Sequence, residues 1–325
     1  MHKTPTLLVT LGDPLSVNIE AMQQLLAKFP ENIRTVFIGS WVQWQRQCSL
    51  ASKPLFRAVN SWDDIDSGLN FWDVDPQGGD IHPAQLSELQ RGQIAVKSLE
   101  LVRTYPSLDG AAVLTCPIDK FSCQKAGFPF PGQTEFFESL ADKEGIMILA
   151  GPKLKVGLAT NHLALQDVPK ALSAELIQKK FGLMAQTIRE IYKRDKVTLA
   201  VTGLNPHCGD QGMFGREDLD IIKPAMDNLS SKSHDIGVGP VPADTAFFQA
   251  YSGTYDGVLA MYHDQGLGPL KTVHFYDAVN ITGGLPFLRV SPDHGPAADK
   301  FAKNEANIQS FTAALDHCLG YLEHD

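Results

Sequence analysis

Long apolar runs are missing from this chain. No stretch approaches the roughly 20 residues that a membrane-spanning helix needs, although hydrophobic residues make up 43% of the sequence. Clusters of positive charge are missing too. Lys plus Arg is 28 against 37 for Asp plus Glu, a formal net charge of −9, and no four basic residues follow one another. Nucleic acids and anionic membranes reward clustered Lys and Arg, so neither is expected as a partner. Cysteine is scarce, odd in number and irregularly spaced, at 48, 116, 123, 208 and 318. A disulfide framework is therefore not expected. The start, Met1-His2-Lys3-Thr4-Pro5, shows no signal-peptide core or small-residue cleavage site. A cytoplasmic globular protein is the expectation.

What is present alternates between strand-like and helix-like segments. Leu7-Leu8-Val9-Thr10, Val36-Phe37-Ile38, Ala111 to Thr115, Ile146 to Leu149, Val156 to Ala159, Val197 to Val201 and Gly257 to Met261 are short apolar runs bounded by turn residues. Between them, Val17 to Phe29, Leu89 to Arg103, Ala174 to Lys193 and Phe311 to Leu322 carry apolar residues at helical spacing. Strands that are apolar on both faces point to a buried, parallel sheet, and their alternation with helices points to the α/β class. No repeat or low-complexity linker marks a domain boundary.

Polar residues gather where the strand-like runs end. Thr10 leads to Gly12-Asp13-Pro14, Thr115 to Asp119-Lys120, Thr160 to Asn161-His162, Gly203 to Asn205-Pro206-His207, and Met261 to Tyr262-His263-Asp264-Gln265. Open α/β sheets bind ligands outside the carboxyl ends of their strands, so these turns are expected to converge. Of ten histidines, His2, His82, His317 and His324 read as bystanders. His162, His207 and His263 each follow a strand, and three imidazoles match the ligand count of an open divalent site. A loop-orienting or substrate-binding role competes evenly with metal binding, because the three lie far apart in sequence. Gly209, Gly212 and Gly215 have GxxGxxG spacing, which is neither the dinucleotide fingerprint nor a phosphate loop. Lys271, Asn280 and Arg289 form a reasonable set for a phosphate or carboxylate. Gln133-Thr134 begins a helix-like segment whose N-terminus suits an anion.

Several blocks in one order are more specific than any of these alone. Leu204-Asn205-Pro206-His207, Pro242-Ala243-Asp244-Thr245, Ala260-Met261-Tyr262-His263-Asp264-Gln265-Gly266, Val279-Asn280-Ile281-Thr282, Gly284-Leu285-Pro286-Phe287-Leu288-Arg289 and Asp293-His294-Gly295 resemble 4-hydroxythreonine-4-phosphate dehydrogenase, the PdxA family of vitamin B6 synthesis. The resemblance runs from about residue 8 to the C-terminus. It implies a three-layer α/β/α, two-domain architecture like isocitrate and isopropylmalate dehydrogenases, with the active-site cleft between domains. Carried onto this chain, that gives a discontinuous first domain of residues 1–125 plus 290–325 and a second of 126–289 holding most metal and substrate residues.

The implied activity is NAD- or NADP-dependent oxidation of 4-phosphooxy-L-threonine to a β-keto acid. That acid decarboxylates to 3-amino-2-oxopropyl phosphate in pyridoxal phosphate synthesis. The resemblance implies one divalent metal per site (zinc, magnesium or cobalt) on His162, His207 and His263, shared across a homodimer. It implies substrate contacts at Gln133, Thr134, Lys271, Asn280 and Arg289, with Asp244, Asp264 and Lys271 as candidates for orienting histidines or moving protons. The apolar terminal helix is a candidate for the dimer interface.

Two departures from the family pattern stand out. The family's Gly-Asp-Pro-Ala-Gly-Ile-Gly-Pro-Glu is here Gly12-Asp13-Pro14-Leu15-Ser16-Val17-Asn18-Ile19-Glu20, with two glycines lost. Gln133 replaces the His of Gly-His-Thr-Glu and cannot become charged. They keep two alternatives open: the same chemistry on a phosphorylated threonate or erythronate, and a non-catalytic ligand-binding paralogue.

Overall fold

The computed structural model describes residues 5–47, 56–232 and 234–323. His2, Cys48 and His324 lie outside the described residues. The strands are β1 (Thr6–Thr10), β2 (Arg34–Gly39), β3 (Arg57–Val59), β4 (Gly68–Asp73), β5 (Ala112–Thr115), β6 (Ile146–Ala150), β7 (Lys155–Leu158), β8 (Thr198–Thr202), β9 (Ile236–Val241), β10 (Gly257–Ala260), β11 (Val279–Gly283) and β12 (Leu288–Pro292). The chain divides into two compact units, Met1–Lys143 with Pro286–Asp325, and Glu144–Leu285. Set beside the expected limits of 125/126 and 289/290, this division assigns Gln133, Thr134 and Arg289 to the first unit.

In the first unit the strand order is β3-β4-β2-β1-β5-β12, and every pairing is parallel. All residues of β1 and β5 are buried, which is why their runs are apolar on both faces. The helix Glu88–Arg103 packs on β1 and β2, and the helix Gln309–Leu322 packs on β12, β5 and β1. Ser87 and Gln90 close a capping box at the start of the former, a device that contributes about 1 kcal/mol. The terminal helix buries Phe311, Ala314, Leu315 and Cys318, so its apolar stripe is consumed by its own unit.

In the second unit the order is β11-β6-β7-β10-β8-β9. Here the expectation of a parallel sheet needs correcting, because β6 runs antiparallel to both β7 and β11. The Gly151 amide donates to the Leu154 carbonyl across the β6–β7 turn, and so short a connection joins only antiparallel neighbours. The remaining pairings are parallel. Two helices cover one face: Val156, Leu158, Val258 and Ala260 pack with Ala246, Phe247 and Leu270. The alternate residues face the helix Ala174–Tyr192, where a Cβ on Gly157 would stand 2.6 Å from the Met184 sulfur. Period-two alternation thus places helices on both faces, three layers in all.

β3, β4, β9, β11 and β12 had no counterpart among the strand-like runs of the sequence. β4 is Gly-Leu-Asn-Phe-Trp-Asp and β9 is Ile-Gly-Val-Gly-Pro-Val, compositions that break both the apolar run and the strand propensity.

Candidate active site

Strand direction alone places the second unit's histidines and Asp244 on one edge, while Asn280, level through Leu149 with Val156 near the start of β7, lies toward the other. β7, β8, β9 and β10 are parallel, and β11 is antiparallel to the antiparallel β6. The segments carrying His162, His207, Asp244 and His263 therefore all leave at the same end. The imidazoles of His162 and His263 lie side by side, with ring centroids 5.6 Å apart. His263 opens the helix His263–Val273, and its Nδ1 is 2.8 Å from Asp264 Oδ1.

His207 is displayed differently. It is exposed and begins a run of left-handed backbone in which His207, Cys208, Asp210 and Gln211 have φ of 52, 54, 40 and 57°. Left-handed turns cost non-glycine residues about 1–2 kcal/mol each, so the surroundings must hold them. Asp218, 1% exposed, anchors the residues just ahead of that run from a single turn of π-helix. Its carboxylate accepts from the amides of Leu204 and Asn205 and from the Asn205 side chain, at 2.9, 3.1 and 2.9 Å. Sequence reasoning missed Asp218, since its partners lie 13 and 14 positions away and no local motif announces them.

Among the described residues, no three His, Cys, Asp or Glu side chains gather into a group that could hold a metal. The 5.6 Å between the His162 and His263 ring centroids is close to the spacing of two imidazoles on one ion. Metal–nitrogen bonds of about 2.0–2.1 Å at a tetrahedral angle place two ring centroids roughly 5 Å apart. Asp244 is exposed in the first turn of the helix Ala243–Tyr251. Lys271 lies eight residues beyond His263 in one helix, about 12 Å along its axis, and its ammonium sits 5.5 Å from the Phe275 ring. One chain thus separates Lys271 from its own histidine pair. Asn280 pairs with Leu149, and its Oδ1 is buried with no hydrogen-bond partner.

The first unit holds its candidates within β12 and at the start of a helix. Arg289 is 3% exposed; its Nε donates to Thr115 Oγ1 at 3.0 Å and its Nη1 to Thr134 Oγ1 at 3.4 Å. Burial pulls the guanidinium down to about 10 against the opposing pull of Glu135, so it stays charged near neutrality. Gln133 opens the helix Gln133–Ala141, whose N-cap, Gly132, offers no side-chain cap. Its Nε2 donates to the Cys116 carbonyl at 3.2 Å, and its Oε1 is buried without a partner. Burial pushes the Cys116 and Cys123 thiols up, which fits inert packing residues.

The altered turn after β1 closes despite its lost glycines. Gly12 keeps φ +66°, and a Cβ there would meet the Pro117 carbonyl at 2.3 Å. Asn18, where the family pattern has a glycine, donates to the carbonyls of Leu11 and Pro117 at 2.9 and 2.8 Å. Asp13, 1% exposed, pairs with Arg91 Nη1 at 2.9 Å.

Imidazoles and carboxylates beyond the strand ends of one α/β unit, with a buried guanidinium in the other, define an α/β enzyme. The chain belongs to the family of pyridoxal phosphate biosynthetic protein PdxA, whose model matches residues 31–318. It is similar to a 4-hydroxythreonine-4-phosphate dehydrogenase of Sulfurihydrogenibium sp., 37% identical over 318 residues, which cover 95% of this chain and 96% of that one. A Bradyrhizobium diazoefficiens protein, provisionally named a D-threonate 4-phosphate dehydrogenase, is 34% identical over 96% of this chain and 95% of its own. A crystal structure of 4-hydroxythreonine-4-phosphate dehydrogenase from Klebsiella pneumoniae superimposes with a TM-score of 0.82 at 32% identity, over 98% of each chain.

Proposed function

We propose that this chain is an NAD- or NADP-dependent dehydrogenase acting on 4-phosphooxy-L-threonine. The carbon bearing the secondary hydroxyl gives its hydrogen to the nicotinamide as hydride, and the hydroxyl gives its proton to a base. The resulting β-keto acid loses CO₂ to leave 3-amino-2-oxopropyl phosphate. The observation that carries this reading is the placement of His162 and His263, two imidazoles at tetrahedral spacing on parallel strand ends, in a chain of this family.

His162, His263 and a His207 from a second copy of the chain would hold one divalent ion, zinc, magnesium or cobalt. When bound, the ion supplies Lewis acidity, lowering an alcohol's pKa and stabilising negative charge on oxygen. The chain's own residues do the rest. Asp264 holds His263 by its Nδ1, which fixes the ring orientation and leaves Nε2 as the donor. Asp244 is the candidate proton acceptor. Arg289, charged and held by two threonine hydroxyls, is shaped for a phosphate or carboxylate. Thr134, Asn280 and Lys271 complete the substrate set, with Asn280 Oδ1 free to accept from a substrate hydroxyl or amine.

A homodimer with shared sites is part of this reading. Of the twelve large exposed apolar side chains among the described residues, only Leu89 and Phe121 lie outside the second unit. Leu163 and Leu165 follow His162 directly, and Met213 and Phe214 follow the His207 turn, at 47, 66, 74 and 48% exposure. Such apolar surface beside polar loops marks a protein interface.

The same chemistry on a threonate or erythronate 4-phosphate is a second reading, kept open by Gln133. Its one free group is a neutral acceptor, Oε1, which suits a hydroxyl or amine better than a phosphate. NADH production on 4-phosphooxy-L-threonine, D-threonate 4-phosphate and D-erythronate 4-phosphate, with metal present, separates the two. The highest kcat/KM is expected on the first, and no turnover of any would leave a binding paralogue.

A further inference from the structure

We propose that Gln265 is a positioning residue for the imidazoles, tying together in each chain the strand ends that carry the His162–His263 pair and the His207 that this chain lends to the second copy. The inference rests on the reading of those histidines as metal ligands. The register between β10 and β8 ends at Leu259 and Val201. Beyond it the Gln265 side chain carries the connection. Its Nε2 donates to the Gly203 carbonyl at 2.7 Å, and its Oε1 accepts from the Met261 amide at 2.7 Å and the Thr202 hydroxyl at 2.8 Å. A carbonyl only accepts and a backbone amide only donates, so the neighbours fix which end of the side-chain amide faces which.

The link extends to the third strand. The Met261 carbonyl accepts from the Thr160 hydroxyl at 2.7 Å and from the Thr160 amide at 3.2 Å. Thr160, Met261 and Gly203 precede His162, His263 and His207 by two, two and four residues. One hydrogen-bonded chain thus underlies all three histidine-bearing turns, and Gln265 is its only side-chain amide. It lies two residues, about half a helical turn, beyond His263, and its side chain is spent on the strand ends, so it acts through the imidazoles rather than on a ligand. Partners of this kind, which orient ligands without touching a metal, typically change affinity 10–100-fold when lost.

The test uses the full-length protein stripped of metal and titrated with Co²⁺, followed by its visible absorption. Gln265→Leu removes all three bonds while keeping the volume close. It should fold, bind Co²⁺ about 10–100-fold more weakly and shift the absorption bands. In Gln265→Glu both acceptor bonds survive, but a carboxylate faces the Gly203 carbonyl. Protonation restores a donor, so its affinity relative to the parent protein should recover as pH falls, a trend absent from Gln265→Leu. If Gln265→Leu does not fold, Thr160→Val, which deletes one hydroxyl, should weaken Co²⁺ binding about fivefold. His263→Ala runs alongside. Unchanged affinity and spectrum in Gln265→Leu, or in Thr160→Val in its place, with loss in His263→Ala, overturn the positioning role and leave the metal reading intact. Unchanged binding in His263→Ala as well overturns the metal reading and this inference together.

Discussion

The two units treat the polar residues at their strand ends in opposite ways. In the first, those groups are mostly spent on the protein itself. Asp13 is buried against Arg91, Asn18 bridges two carbonyls, and Arg289 is held beneath the surface by two threonines. In the second, the side chains of interest stand outward and the hydrogen bonds lie one layer below, in Asp218, Gln265 and Thr160. A buried, pre-set cation suits binding an anion whose position never changes. Displayed imidazoles on a stiff backbone suit a ligand set completed from elsewhere. Substitutions at the displayed histidines should therefore cost activity, and those at the buried Asp13–Arg91 pair stability.

The largest effect expected is on the histidines proposed as metal ligands. His162→Ala or His263→Ala should each lower kcat/KM by about 10³-fold or more, because metal Lewis acidity supplies several kcal/mol, while thermal stability stays near that of the parent protein. A matched fall in melting temperature would break the contrast between the units.

Next comes subunit mixing. His207→Ala and His263→Ala chains, each inactive, should recover about one quarter of full activity when refolded together. Half the dimers are then mixed and each has one intact site of two. No recovery would place His207 with its own chain's pair.

The stability counterpart is Arg91→Ala, which leaves the Asp13 carboxylate buried without its cation. It should cost about 3 kcal/mol by denaturant unfolding. The pH dependence has a definite sign. Burial raises the Asp13 carboxyl above its ordinary 3.8, against the pull of the Leu15 amide and Arg91. The folded state therefore holds this proton more tightly, and stability falls as pH rises through the window above 3.8. Asp13→Asn should lack that slope. Glu144 in the second unit has the opposite sign. Hydrogen bonds from Lys179 and Lys180 hold it below its ordinary 4.5. Its contribution is present above that value and lost as pH falls through its folded value. With the side chain 51% exposed, the effect should stay under about 1 kcal/mol.

The smallest effect is at Gln133. Gln133→His can keep a ring N–H toward the Cys116 carbonyl and should lower KM for a phosphorylated substrate mainly below about pH 6.5, where imidazole is charged. Steady-state kinetics across pH would show it. An unchanged KM at every pH would mean that residue 133 does not meet the substrate.

The contrast also explains what could be read from sequence. Buried strands such as β1, β5 and β10, and the helix Ala174–Tyr192, announce themselves through continuous or 3.6-periodic apolar residues. So does the gathering of His162, His207 and His263 at strand ends, because it depends only on strand direction. β9, interrupted by two glycines and a proline, and β4, lodged in a Trp- and Asp-rich stretch, do not. The reversal of β6 was signalled only by the short Gly151-Pro152 turn. The supports beneath the histidines were invisible for another reason. Gln265 meets Gly203 across 62 residues and Thr160 meets Met261 across 101, and no local pattern encodes a hydrogen bond at that separation. The hold of Asp218 on Leu204 and Asn205, just ahead of the left-handed run at His207, likewise follows no local pattern.

The most direct measurement is turnover of 4-phosphooxy-L-threonine with NAD, following NADH and CO₂ together, before and after treatment with a chelator. The account predicts equal amounts of the two products, loss of both on chelation, and recovery on adding zinc or cobalt to the parent protein but not to His263→Ala. Turnover that survives removal of all divalent metal, or that metal restores equally in His263→Ala, would contradict it.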